Sequence, residues 1–146
     1  MIYRNFKPLL LVKNSIILLF FISLAVGKTS AQTIPSVNIK DLYGSTVNTG
    51  ELNNGGKPIV ICFWATWCSP CKRELNNYMD YYQDWQDETG VKIIAVSVDD
   101  SRSTNRVAPY IMSSGWDFEI LLDQSGDFKR AMGVINVPHT FVYNGE

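Results

Sequence analysis

A Cys-x-x-Cys pair at the junction of a strand pattern and a helix pattern is the strongest constraint this chain carries. The run Pro58-Ile59-Val60-Ile61-Cys62-Phe63 is apolar and short enough to read as a buried strand. Trp64-Ala65-Thr66-Trp67-Cys68-Ser69-Pro70-Cys71 comes directly after it, and then Leu75, Tyr78, Tyr82 and Trp85 recur at helical spacing. Cys68 and Cys71 therefore sit where a helix begins. The first helical N–H groups have no intrahelical partners there, and the helix dipole favours negative charge. A thiol in that place ionises more readily, and the thiolate is the reactive form of cysteine. The local pattern points to thiol–disulfide exchange.

The remaining cysteine usage agrees. Cys62, Cys68 and Cys71 fall within ten positions. An odd, clustered set is not a disulfide framework of the small secreted kind; it suits one functional pair and one separate thiol.

The N-terminus reads as a targeting segment. Arg4, Lys7 and Lys13 precede an apolar stretch of twelve residues, Ser15 to Val26, and Thr29-Ser30-Ala31 supplies small residues before Gln32. That is the layout of a cleavable secretory signal peptide spanning 1–31. The competing reading is an uncleaved anchor. The apolar stretch is shorter than the roughly 20 residues a spanning helix needs. The segment 1–31 holds four of the thirteen Lys+Arg and no acid. Residues 32–146 then carry nine basic against fourteen acidic residues, a net charge of −5. A mildly acidic stretch of that length without a basic cluster suits one domain and argues against nucleic acid as a partner.

Strand and helix patterns alternate from there. A hairpin is expected over 37–48, turning at Asp41-Leu42-Tyr43-Gly44, and a loop at Asn53-Asn54-Gly55-Gly56. Ile59 to Trp64 is the first central strand, Ser69 to about Asp87 a helix, and Val91 to Val98 a second apolar strand. Asp99-Asp100-Ser101 is placed to cap a helix over 104–114, in which Pro109 imposes a kink or a delayed start. A strand over 118–122, a short helix over 126–132 and a strand over 140–143, entered through Val137-Pro138, complete the series. Such alternation implies an α/β chain with a largely parallel central sheet and helices on both faces. The chain stops at Asn144-Gly145-Glu146, a hairpin-turn signal with no strand after it, as expected of a fragment or a truncated domain.

Four stretches resemble the thioredoxin-fold proteins of the TlpA/ResA type: Phe63 to Cys71, Cys71-Lys72-Arg73-Glu74, Val96-Ser97-Val98-Asp99, and Gly133 to Phe141 with Val137-Pro138-His139-Thr140 at its centre. The resemblance runs from about Pro35 to Glu146. It implies a thioredoxin-like fold with a central mixed sheet flanked by helices and an N-terminal hairpin extension. It implies exported or membrane-tethered thiol–disulfide oxidoreductases, often reductants, some serving cytochrome c maturation. It also implies a cis bond before Pro138, close to the redox pair. The chain departs from the pattern in three places. Asn76 stands where many relatives have Pro, which predicts a straighter helix. His139 stands where Thr often follows the cis-proline. The relatives' final hairpin strand and helix are missing after Asn144-Gly145.

Within that frame Cys68 is the expected nucleophile, with its sulfur exposed, and Cys71 the resolving thiol that breaks the mixed disulfide. A merely structural disulfide is the plainer reading, but so small a loop gains little from closure. Cys62, Cys68, Cys71 and His139 would make a Cys₃His zinc set on paper, although no second ligand pair has metal-like spacing. Lys72 after Cys71 excludes haem attachment, which needs His there. Cys62 reads as a buried core thiol. It occupies the place where thioredoxin itself has a buried acid that moves protons. Glu74 is either a solvated acid of the first helical turn or the group that handles the Cys71 proton. His139 either stabilises the Cys68 thiolate or is turned away by the alternation of its strand. Trp64 reads as packing, Trp67 as a rim contact for substrate, and Pro70 as the loss of one N–H donor to the thiolate.

The reading is thus an exported, periplasmic thiol–disulfide oxidoreductase, of the reducing kind, cycling Cys68 and Cys71 on disulfide-bearing protein substrates. It takes electrons from a membrane donor and needs no cofactor or metal, and its mature domain does not span a membrane. A thiol peroxidase and a metal-binding thioredoxin-fold module are the alternatives.

Overall fold

The computed structural model describes residues 33–144. The segment read as a signal peptide, and the last two residues, lie outside the described residues.

Strands β1 (Asn38–Asp41) and β2 (Thr46–Asn48) form the expected hairpin. The Asp41 carboxylate closes its turn by accepting from the N–H groups of Tyr43 and Ser45, each at 2.8 Å. A short 3-10 turn, Thr49–Glu51, leads to β3 (Ile59–Trp64), followed by α1 (Ser69–Thr89), β4 (Lys92–Ser97) and a second 3-10 turn, Thr104–Arg106. Then come α2 (Val107–Ser114), β5 (Glu119–Leu122), α3 (Asp127–Ala131) and β6 (His139–Tyr143).

The six strands make one sheet in the order β2-β1-β5-β4-β3-β6. Its centre, β3, β4 and β5, is parallel; β1, β2 and β6 are antiparallel to their neighbours. The alternation of strand and helix is legible in sequence, but it shows only the parallel half. The sheet is mixed because the β1–β2 hairpin joins it without a crossover helix, and because the connection that carries α3 returns the chain so that β6 runs antiparallel to β3.

Strand alternation sorts the core into two layers. Cys62, Trp64, Ile93, Ala95 and Ile120 face α1 and α2, where they meet Cys71, Leu75, Tyr82, Val107 and Ile111. Ile61, Phe63, Ile94, Val96 and Leu121 face the other way and cover Phe128 of α3, Met132 and Val134. This layering, helices on both faces of a mixed sheet with the Cys-x-x-Cys pair at the head of α1, is the thioredoxin-like fold.

Several boundaries differ from the sequence reading, for physical reasons. Helix α1 runs two residues past Asp87, to Thr89, because Gly90 takes a left-handed conformation at φ 68° and bonds its N–H to the Gln86 carbonyl. Its buried stripe is Cys71, Leu75 and Tyr82. Trp85 instead lies at the margin, stacked on Tyr81. Of the two effects expected of Pro109 the structure has the delayed start: α2 begins at Val107, after the 3-10 turn, so Pro109 falls in the first turn, where its missing N–H has no acceptor to lose.

Candidate active site

Cys68 is the N-cap of α1, and its Sγ accepts the N–H of Cys71 at 3.3 Å. Cys68 and Cys71 are joined by a disulfide with their Cα atoms 5.3 Å apart. The expectation of an exposed Cys68 sulfur is corrected here: the residue is 5% exposed. Its sulfur is bonded back over the first helical turn to Cys71, which belongs to the buried layer beneath α1. Trp67, the residue before it, is 60% exposed and stands at the rim.

The Val137–Pro138 bond is cis. Pro138 lines a narrow crevice together with Cys62, Cys71, Glu74 and Thr140, so the loop before β6 sits beside the redox pair. The register of β6 on β3 decides which of its side chains face that crevice. Thr140 pairs with Cys62 and His139 with Phe63, so consecutive β6 residues face opposite layers. Thr140 turns to α1, and its hydroxyl donates to Glu74 Oε1 at 2.9 Å. The Tyr78 phenol donates to the same oxygen at 2.7 Å. His139 turns to the other layer and packs its ring on Phe141 at 4.7 Å. Of the two readings for His139, the structure has the one in which strand alternation turns it away.

The same register disperses the paper zinc set. Two of its cysteines are bonded to each other and His139 is across the sheet from Cys62. Among the described residues no group of three or more His, Cys, Asp or Glu gathers as a metal site would require.

Burial pushes the Cys62 thiol up to about 12, and the Glu74 carboxylate adds to the rise while Thr140 partly offsets it. Cys62 is therefore a neutral thiol with no thiolate character at ordinary pH. Tyr78 is also raised to about 12, by burial first and then by its hydrogen bond and proximity to Glu74.

Two positioning features escape a reading of the sequence. Asp99, placed by sequence in a helix-capping loop, is 1% exposed. Its carboxylate accepts the Thr66 N–H at 2.7 Å, the Thr66 hydroxyl at 2.6 Å and the Ser97 hydroxyl at 2.9 Å. It thus ties the loop that carries Trp67 and Cys68 to the end of β4. An acid just past the carboxyl end of the neighbouring parallel strand is the available signal, since sites in such sheets form at those ends. The second is Asn76, whose side-chain carbonyl accepts the Trp116 indole N–H at 2.7 Å. Trp116 in turn packs edge-on against Trp64, 4.8 Å between ring centroids. Trp64 is wholly buried, and its own indole N–H has no partner among the described residues.

Comparisons with known proteins agree with this geometry. The profile of the AhpC/TSA family matches residues 30–146. Thiol-disulfide oxidoreductase ResA of Bacillus subtilis is 32% identical over 112 residues, covering 77% of this chain and 60% of the relative. ResA of Halalkalibacterium halodurans is 30% identical, covering 86% of this chain and 68% of that protein. A thioredoxin-like protein of Porphyromonas gingivalis, known from a solution structure, superposes with a TM-score of 0.70 at 49% identity. That match covers 81% of this chain and 76% of the other. The chain thus spans between about six-tenths and three-quarters of the length of these relatives. With the family profile covering residues 30–146 and a disulfide at the head of α1, the chain belongs to the AhpC/TSA family, in the thioredoxin-like group whose curated relatives are thiol–disulfide oxidoreductases.

Proposed function

We propose that the chain is an exported reductase of protein disulfides. The Cys68 thiolate attacks one sulfur of a substrate disulfide; the other substrate sulfur leaves as a thiolate and takes up a proton. Cys71 then loses its proton and attacks Cys68 of the mixed disulfide. The substrate is released with two thiols, and two electrons have passed from the Cys68/Cys71 dithiol, which becomes the disulfide. A dithiol donor in the membrane reverses the last change. Glu74, one turn after Cys71 and held by Tyr78 and Thr140, accepts the Cys71 proton in the resolving step.

The observation that carries this reading is the N-cap position of Cys68, with the Cys71 N–H directed at its sulfur. A donor at the start of a helix stabilises thiolate and makes Cys68 the attacking group. The peroxidase alternative would need a reactive thiol apart from the pair, and Cys62, buried and raised to about 12, cannot serve. Export is supported by the charge and hydropathy pattern of residues 1–31. Among the described residues no helix is long and apolar enough to cross a membrane.

The deciding experiment is equilibration of the purified protein in glutathione and dithiothreitol buffers. A potential well below that of the glutathione pool supports the reductase; a high one replaces it with an oxidase. Cys68→Ser should abolish exchange and Cys71→Ser should accumulate mixed disulfides. Mass spectrometry of envelope protein should find Gln32, or its cyclised form, at the N-terminus; persistent Met1 would refute cleavage.

A further inference from the structure

We propose that the groove leading from Trp67 to Arg106 holds the substrate chain flanking its disulfide, and that it selects segments bearing a carboxylate side chain. The proposal rests on the reductase reading and adds to it a substrate class. The groove has a volume of about 520 Å³ and is lined by Trp67, Val98, Asp100, Arg102, Ser103 and Arg106. It begins at the residue before Cys68, so a chain joined to Cys68 in the mixed disulfide has its neighbouring residues within reach of it.

The lining sorts into an apolar wall and one free charge. The exposed Trp67 ring offers a broad amphipathic contact at small entropic cost. The Arg102 guanidinium is committed to Asp100, with Nε at 2.9 Å and Nη2 at 2.6 Å from one carboxylate oxygen, so those two charges cancel. Arg106 is exposed and makes no ion pair among the described residues.

The net charge of −5 on residues 32–146 acts the other way, repelling acidic chains at long range. Exposed charges are screened beyond about 8–10 Å at physiological salt. At contact the near cation therefore outweighs the distant acids, and an acidic side chain beside the half-cystine finds its partner in Arg106.

The test uses the full chain, reduced, against three synthetic peptides that share one disulfide loop and differ only in flanking Asp, Ser or Lys residues. Hydroxyethyl disulfide, neutral and too small to span the groove, reports the thiol chemistry alone. At about 0.15 M salt, where the distant acids are screened, the Asp peptide should react about two- to five-fold faster than the Ser peptide, and the Lys peptide slower, the gap closing in about 1 M salt. Arg106→Glu should reverse the order, and Arg106→Gln should level it. Equal rates for all three peptides, with brisk turnover of hydroxyethyl disulfide, would overturn the groove assignment and leave the reductase standing. No reaction with any of the four disulfides would overturn both.

Discussion

Cys62 is a thiol where thioredoxin has a buried acid, and this changes what titrates. Below pH 9 the thiol is protonated in the folded and the unfolded chain alike. Between pH 9 and about 12 the unfolded chain loses that proton and the folded one, raised by burial, does not. Stability contributed by the neutral thiol is thus complete below pH 9 and falls as pH climbs toward 12, by about 4 kcal/mol across the window at most. Urea unfolding from about pH 8 to 11 should show this loss in the native chain and much less of it in Cys62→Ala. At neutral pH that variant should lose about 1 kcal/mol to a small cavity and keep its turnover. Equal alkaline slopes would mean that Cys62 is not the group responsible. Glu74 can be tested through its neighbour. Its charge helps raise Tyr78, so Glu74→Gln should bring the phenol down from about 12, though not below 10, because burial is the larger cause. Ultraviolet titration reads that shift. In the same variant, a build-up of mixed disulfide would place Glu74 in the resolving step.

Among the elements, β3, α1 and β4 were legible because each carries a periodic apolar pattern, and the hairpin because Asp41 and Gly44 suit its turn. What sequence could not reveal were contacts between elements distant along the chain. Asp99 and Thr66 are 33 residues apart, Asn76 and Trp116 are 40 apart, and neither pair has a spacing rule. The side of β6 on which His139 falls was equally closed to reading. It depends on the register with β3, and a slip of one residue exchanges His139 with Thr140. The Asp99 clamp is the most consequential of these contacts. Removing its carboxylate strands a backbone N–H and two hydroxyls at the base of the Cys68 loop, each bond to a charged acceptor counting for about 1.5–3 kcal/mol. Asp99→Ala should lower Tm by about 10 °C or more. Thr66→Val added to it should cost little further, since the two share one interaction. Full additivity in calorimetry would show that the clamp does not couple them.

At the scale of the whole molecule, the direction of electron flow and the stability of the fold are one quantity measured twice. A reductant is a protein whose disulfide form is the more stable; an oxidant is one whose dithiol form is stabilised by folding. Two terms oppose each other here. Closing so short a loop favours the oxidised chain by about 2 kcal/mol in the chain-entropy account. The helix N-terminus favours the Cys68 thiolate and hence the reduced chain. That second term is curtailed in this sequence: Pro70 has no N–H, and the hydrogen bond to the Cys68 sulfur comes from Cys71 alone. Cys62 adds nothing to it, being a neutral thiol behind the pair. On the proposed reductase reading the first term outweighs the second, and the oxidised protein should unfold at higher denaturant than the reduced protein at neutral pH. Restoring the missing donor with Pro70→Gly should narrow the gap and raise the potential, while Pro70→Ala, which also returns an N–H but keeps the helix stiffer, should act in the same direction. A reduced form more stable than the oxidised one would make this chain an oxidant, whatever its relatives do.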